Sequence, residues 1–271
     1  MSRFIKKSSR FDPLNYRPIS LTSVSCKVLE RLIVQHITQY LDSNNIISKQ
    51  QFGFRAGHST VDQLILTYND ISFSTDCGNS TDLILFDFSK AFDLVNHSIM
   101  LNKLQHIGIT GQICDWIGSF LTDRSMKVRV AGVLSDSVAV TSGVPQGSIL
   151  GPLLFLIYVN HIVAGLRTKS MIFADDLKIY LSYGNDTDSE SFVNTLQADV
   201  DHLVSTSSSW GLKLNHEKCV AMRFSPRNCT LPFTGVSPYR TSDNLISFVE
   251  TRSDLGVIID PSLKFHTHFR K

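Results

Sequence analysis

Two short, strongly apolar runs end in carboxylates, and this pattern constrains the chain more than any other feature of it. Leu83-Ile84-Leu85-Phe86 runs into Asp87, and Met171-Ile172-Phe173-Ala174 runs into Asp175-Asp176. Runs this short and apolar read as buried strands. A carboxylate at the end of such a strand is costly unless it is hydrogen-bonded or holds a cation. Clustered carboxylates without matching Lys or Arg suit Mg²⁺, which takes oxygen ligands together with substrate phosphates. Two such ions roughly 3.5–4 Å apart can activate a hydroxyl and stabilise a leaving phosphate oxygen. Asp is also a favoured turn residue, so Asp175-Asp176 taken in isolation reads first as a polar hairpin turn. Spacing alone does not bring the three acids together.

The segments around these runs alternate between helical and strand periods. Val28, Leu29, Leu32, Ile33 and Ile37 predict a helix over Cys26–Leu41. Gly53 and Gly57 bracket a turn, and Val61, Leu64 and Ile65 suggest a second helix. Residues 72–82 read as a polar loop. Beyond Asp87, Ser89 is expected to cap one helix carrying Phe92, Val95, Leu101 and Leu104, which Gly108 stops. Lys127–Val133 alternates as a half-exposed strand. Leu177, Ile179 and Leu181 give a strand after the acidic pair, and Phe192, Leu196, Val200 and Leu203 a helical stripe. Gly211 ends that helix, and Leu212 and Leu214 begin another strand. Helices and hairpins mixed in this order predict an α+β fold.

Length and composition narrow the class. At about 150 residues per domain, 271 residues make one large domain or two small ones. A hydrophobic content of 42% with 17 Phe supports a packed core and excludes bulk disorder. The five cysteines are odd in number and form no C-x-x-C pair, which excludes a disulfide scaffold and a thiolate zinc site and favours reduced thiols inside the cell. His216 with Cys219, and His266 with His268, offer too few ligands for a closed metal site. The N-terminal charges have no apolar run behind them, so they are not a signal peptide. Ser137–Leu166 lacks Asp, Glu, Lys and Arg, but its continuous apolar part, Ile149–Val159, contains Gly151 and Pro152. It falls short of the roughly 20 residues of a membrane span and reads as a buried helix starting near Pro152.

Seven motifs occur in a fixed order. They are Asn15-Tyr-Arg-Pro-Ile-Ser-Leu-Thr22, Gln51-Phe-Gly-Phe-Arg-Ala-Gly-His-Ser-Thr60, Asp87-Phe-Ser-Lys-Ala-Phe-Asp93 and Ser142-Gly-Val-Pro-Gln-Gly-Ser-Ile-Leu-Gly-Pro152. Phe173-Ala-Asp-Asp176, Trp210-Gly-Leu-Lys-Leu-Asn-His-Glu-Lys218 and Asp254-Leu-Gly-Val257 follow. Each is weak alone. Together they resemble the reverse transcriptase of non-LTR retrotransposons, closest to the jockey and chicken-repeat groups, over nearly the whole chain.

The resemblance implies a right-hand polymerase: fingers and palm, with a small antiparallel palm sheet backed by helices. The fingers portion would be residues 1–80, the palm with interleaved fingers segments 81–260, and 261–271 the start of a connection to a missing thumb. It implies transfer of deoxynucleotides to a DNA primer 3′-hydroxyl on an RNA template, with Mg²⁺ as cofactor and Mn²⁺ as its substitute. Asp87, Asp175 and Asp176 would hold the metals, and Lys218 would protonate the leaving pyrophosphate. Phe92 would be the ring that excludes a 2′-hydroxyl, although the residue also reads as a core aromatic. Gln146 and Gly147 would pack on the incoming nucleotide, and Arg17 and Arg55 would meet its triphosphate or the template backbone. Leu255, Gly256 and Val257 would form the primer grip. The family often has Asn-Asp where this chain has Asn160-His161. Family analogy implies action in the nucleus or cytoplasm, without a membrane.

Net charge qualifies the resemblance. A balance of +2 is modest for a protein that tracks phosphates, and the basic residues cluster at Arg3–Arg10 and Arg124–Arg129. One rival reading is a catalytically inactive remnant that binds RNA or a partner. Another is a two-metal phosphotransferase on a related sheet, such as a nucleotide cyclase. That rival leaves Phe92, Pro145-Gln146-Gly147, Arg17 and Arg55 unexplained.

Overall fold

The computed structural model describes residues 19–130, 132–184, 189–226 and 237–269. Arg17, with the start of its motif, and the Arg3–Arg10 cluster lie outside the described residues. In chain order the elements are α1 (Val24–Ser43), α2 (Thr60–Asp76), β1 (Ser80–Phe86), a 3₁₀ turn (Ala91–Leu94), α3 (His97–His106) and α4 (Gly111–Leu121). Then come β2 (Arg124–Met126), β3 (Arg129–Val130), β4 (Val133–Leu134), β5 (Val138–Val140) and α5 (Leu150–Val159). β6 (Lys169–Phe173), β7 (Asp176–Tyr183), α6 (Ser189–Ser209), a 3₁₀ turn (His216–Lys218) and β8 (Val220–Phe224) follow. The chain closes with β9 (Arg240–Thr241), β10 (Asn244–Leu245), β11 (Ser247–Phe248), β12 (Arg252–Asp254), β13 (Val257–Ile259) and α7 (His266–Phe269). The α+β class holds.

The chain divides into two compact units, residues 1–47 with 90–158 and residues 48–89 with 159–271. In the first, α1 begins at Ser23, whose hydroxyl accepts from the Cys26 amide at 3.2 Å. The helix expected near Pro152 is α5, which is apolar all round and buried along most of its length. Its first amides are satisfied from α1: Glu30, fully buried, accepts from Ile149 N at 2.7 Å and Leu150 N at 3.0 Å. A carboxylate suits this position, because a helix N-terminus carries unpaired N–H groups and partial positive charge. Among the described residues no helix is long and apolar enough to cross a membrane.

The second unit is built on a five-stranded sheet, ordered β11-β8-β1-β7-β6. All its pairings are antiparallel except β11 with β8. Leu83 and Leu85 of β1 share one face with Tyr180 of β7 and with Val220, Met222 and Phe224 of β8. Tyr68 and Ile71 of α2, and Ile259 of β13, close over that face. Side chains alternate along strands, so Ile84, Ile179 and Tyr183 face the other way. There Phe192 of α6 meets Tyr183 with ring centroids 4.0 Å apart. Both faces are covered, which is why the Leu83-Ile84-Leu85-Phe86 part of β1 is apolar without alternation.

Four local expectations change. Residues 72–82 are not a loop: α2 runs to Asp76 and β1 starts at Ser80. The polar residues that suggested a loop are tertiary-bonded, since Asp82 takes two bonds of 2.6 Å from Arg223 and one of 2.7 Å from Tyr239. The single helix expected after Ser89 is two elements. Lys90 takes a left-handed φ of 51°, and Asn96 rather than Ser89 caps α3, accepting from Ile99 N at 3.1 Å. The Ser89 amide instead donates to Lys213 O at 2.8 Å. Leu212–Leu214 makes only an isolated bridge, Phe88 to Leu214, before β8 starts at Val220. Lys127–Val133 is no single strand: β3 pairs with β4, and β2 pairs with β5.

Candidate active site

The register of the central strands explains how the acids meet. In the antiparallel pair β1–β7, Leu85 faces Lys178 and Phe86 faces Leu177. One residue further, Asp87 and Asp176 stand at matching ends of adjacent strands. Asp175 lies between β6 and β7, in a two-residue hairpin loop with Ala174. Asp87, Asp176, Lys178, Arg252 and Asp254 line one open cleft.

Electrostatics marks this cleft as short of positive charge. The Asp176 carboxyl is pushed up to about 6, first by desolvation and then by the charges of Asp175, Asp254 and Asp87, with Lys178 opposing. The residue as a whole is exposed at the strand end, yet it lines the cleft, where desolvation and like charges act together. Lys218 Nζ donates to Asp87 Oδ2 at 2.9 Å. The lysine stands just after the Asn215 amide, which itself donates to Asp87 O at 2.8 Å.

The β12–β13 hairpin forms the rim. Its two loop residues, Leu255 and Gly256, have φ of 46° and 90°. Positive φ at both positions is the type I′ pattern, which normally selects Asn-Gly. Leucine there is strained, and such strain concentrates at functional positions. The hairpin is tied to the sheet by a buried ion pair, Asp254 with Lys178, in which both side chains are at most 2% exposed. Tyr68 donates to the same Asp254 oxygen at 2.6 Å. Arg252 Nη2 donates to Lys218 O at 3.0 Å, which links the rim to the Lys218 turn.

Sequence reasoning missed Lys178, Arg252 and the role of Asp254. Lys178 carried one signal, a lone charge inside an apolar strand. Its partner is 76 residues away, and nothing local points to it.

The other expected residues group elsewhere. In the first unit the Phe92 ring stacks on Phe155, with centroids 4.2 Å apart and planes at 16°. The Ser142–Gly147 loop wraps the turn beside it. Gly143 N donates to Val95 O at 2.8 Å, Val144 N to Phe92 O at 2.9 Å, and Gln146 Nε2 to Asp93 Oδ1 at 2.8 Å. Gly147 has a φ of 99°, and a Cβ there would meet Ser20 O at 3.0 Å, so glycine is required for both conformation and space. Phe92, Gln146 and Gly147 thus form one cluster of the first unit. Arg55, in the second unit, spends one guanidinium nitrogen on backbone carbonyls, Ser48 O at 3.1 Å and Gln51 O at 3.2 Å.

The acids fit a divalent cation bound through few protein ligands. Among the described residues no three His, Cys, Asp or Glu side chains are grouped closely enough to hold a metal ion by themselves. Mg²⁺ commonly uses one or two carboxylates with waters and substrate phosphates. A cation would relieve the repulsion from Asp175, Asp254 and Asp87 that adds to desolvation in raising Asp176.

A small, mainly antiparallel sheet with carboxylates at the ends of adjacent central strands is the arrangement expected of a right-hand polymerase palm. Solved structures share the fold. Apo telomerase from Candida tropicalis truncated from its C-terminal domain aligns with a TM-score of 0.56 and 14% identity, over 89% of this chain and 44% of that one. Telomerase from the same organism with a fragment of telomeric RNA gives 0.52, over 77% and 35%. The chain belongs to the reverse transcriptase (RNA-dependent DNA polymerase) family, whose profile matches residues 5–253. It is 30% identical over 266 residues to the probable RNA-directed DNA polymerase from transposon BS of Drosophila melanogaster, covering 95% of this chain and 29% of that protein. The RNA-directed DNA polymerase from mobile element jockey of the same organism is also 30% identical, covering 94% and 28%. The chain is therefore a reverse transcriptase domain homologous to those of non-LTR retrotransposons, and it spans under a third of these relatives' length.

Proposed function

We propose that the chain catalyses RNA-directed DNA synthesis, joining deoxynucleotides to a primer 3′-hydroxyl. One observation carries this reading: Asp87 and Asp176 end adjacent strands, with Asp175 in the neighbouring turn, in a chain of this family. The primer oxygen attacks the α-phosphorus, the bond to the bridging oxygen breaks, and pyrophosphate leaves. Bound Mg²⁺ would lower the pKa of the primer hydroxyl and offset charge on the phosphates. Asp87, Asp175 and Asp176 would hold it together with waters and substrate phosphates. Lys218, kept beside Asp87, supplies a proton to the pyrophosphate. Leu255, Gly256 and Val257 support the primer end. Phe92 rejects a 2′-hydroxyl, and Gln146 and Gly147 bound the nucleotide pocket. Arg17 and Arg55 serve the triphosphate or template. The fingers–palm boundaries and a nuclear or cytoplasmic site of action belong to the same reading.

The test is primer extension on an RNA template with Mg²⁺ and deoxynucleotides, comparing the chain with Asp175→Asn. Extension by the chain and none by a variant with an unchanged melt supports the reading. Equal extension by both refutes the metal assignment.

A further inference from the structure

The segment Ser48–Arg55 touches the acidic turn without contributing an acid to it. Its backbone pairs in parallel with β6, an edge strand of the five-stranded sheet: Ile172 N donates to Gln50 O and Phe52 N to Ile172 O, each at 2.8 Å. The segment is itself held at three points. Asn160 Oδ1 accepts from Ser48 N at 2.8 Å, and Arg55 donates to Ser48 O and Gln51 O.

Within this segment Gln51 is fully buried, and its side chain reaches the turn. Its Oε1 accepts from Gly53 N at 2.8 Å and from Ala174 N at 3.2 Å. Its Nε2 has no hydrogen-bond partner among the described residues. A buried amide with an idle donor is costly, so its worth here lies in the acceptor. Two N–H donors meeting one side-chain atom also fix that atom as the oxygen. Ala174, the recipient of this bond, has a left-handed φ of 57°, which L-residues enter only at a cost. It immediately precedes Asp175-Asp176. Gly53 presses on the same peptide: a Cβ there would lie 2.3 Å from Ala174 N and 3.1 Å from Phe173 C.

We propose that Gln51 is a positioning residue for the catalytic carboxylates, its amide oxygen and the bare backbone of Gly53 clamping the Ala174 peptide so that Asp175 and Asp176 are presented together. This rests on the polymerase reading. It also gives Arg55 a task in the free protein: it braces the clamp through Gln51 O. Outer groups that orient metal-binding residues typically change metal affinity or rate by about 10–100-fold when removed.

The experiment uses Mn²⁺ alone as probe, with binding followed by electron paramagnetic resonance in the absence of nucleotide and primer. Gln51→Met keeps the volume and removes the acceptor. The expected result is an Mn²⁺ affinity about tenfold weaker and a similar fall in kcat, with KM for the nucleotide within about twofold and near-UV circular dichroism unchanged. Gly53→Ala displaces the same peptide from the other side and should show the same split. In the wild type, the Ala174 amide should exchange slowly with solvent. Unchanged Mn²⁺ affinity and kcat in a folded Gln51→Met or Gly53→Ala variant overturns the clamp, as does a freely exchanging Ala174 amide. The last measurement does not depend on either variant folding. A wild-type chain that binds Mn²⁺ and extends primers while its variants match it refutes the clamp alone. A wild-type chain that does neither refutes the polymerase reading and the clamp with it.

Discussion

Lys178→Met isolates the force that holds the β12–β13 hairpin on the sheet. Lys178 and Asp254 are both nearly inaccessible, and Tyr68 donates to the same carboxylate oxygen. Removing the lysine leaves a buried carboxylate with one neutral donor. Breaking a buried pair from one side costs about 3–5 kcal/mol, chiefly because the remaining charge is stranded. At about 2–4 °C per kcal/mol for a chain of this size, the melting temperature should fall by about 10 °C. The double variant Lys178→Met/Asp254→Leu strands no charge and orphans only the Tyr68 hydroxyl, a cost of about 1–3 kcal/mol. It should therefore be more stable than Lys178→Met alone. Adding Tyr68→Phe should recover most of the remainder. Thermal melts followed by near-UV circular dichroism measure all of these. If Lys178→Met stays within about 1 kcal/mol of wild type, or if the two single losses simply add, then the pair is not the coupled, desolvated unit argued here.

Three other perturbations test separate parts of the molecule. Asp176 ionises at about 6 when folded against an ordinary 3.8, so the folded chain holds that proton more tightly than the unfolded one. Its contribution is full below about pH 4 and is lost as the pH rises through about 6. Asp176→Asn should remove that dependence and raise the metal-free melting temperature at pH 7; an unchanged pH profile would contradict the electrostatic account. Glu30→Leu strands the Ile149 and Leu150 amides at the start of α5 and should cost about 2–4 kcal/mol in urea unfolding, with Glu30→Gln losing less. Phe92→Ala should raise ribonucleotide incorporation and, because the ring stacks on Phe155, cost about 2 kcal/mol of stability; unchanged sugar discrimination would return Phe92 to a packing role.

The cleft is lined by more acidic than basic side chains. Asp87, Asp176 and Asp254 line it with Lys178 and Arg252, while Asp175 acts on Asp176 through its charge and Lys218 pairs with Asp87. Lys178 is committed to Asp254, Lys218 to Asp87, and Arg252 donates to a backbone carbonyl. The Asp176 carboxyl stays raised, first by desolvation and then by the charges of Asp175, Asp254 and Asp87.

Much of this is legible in the order of residues alone. Apolar runs ending in Asp87 and in Asp175-Asp176 mark strand ends, because burial favours Leu, Ile and Phe while a carboxylate must stop at the rim. Helical periods locate α1 and α6, and the ordered motifs point to the family. Local signals fail where distant partners override them. Residues 72–82 look like a loop because the stretch is polar and contains Gly78 and Asn79, yet Arg223 and Tyr239 satisfy Asp82 inside the sheet. The helix expected after Ser89 breaks because the Ser89 amide bonds Lys213 and the Gly143–Val144 backbone wraps the Phe92 turn. The sequence by itself determined which residues carry charge and which must be buried, since these follow from side-chain chemistry and period. Only the tertiary structure decided that Asp87 stands beside Asp176, that Lys178 meets Asp254 and that Gln51 reaches Ala174. Each of these depends on strand register or loop docking across many residues, and no local preference encodes it.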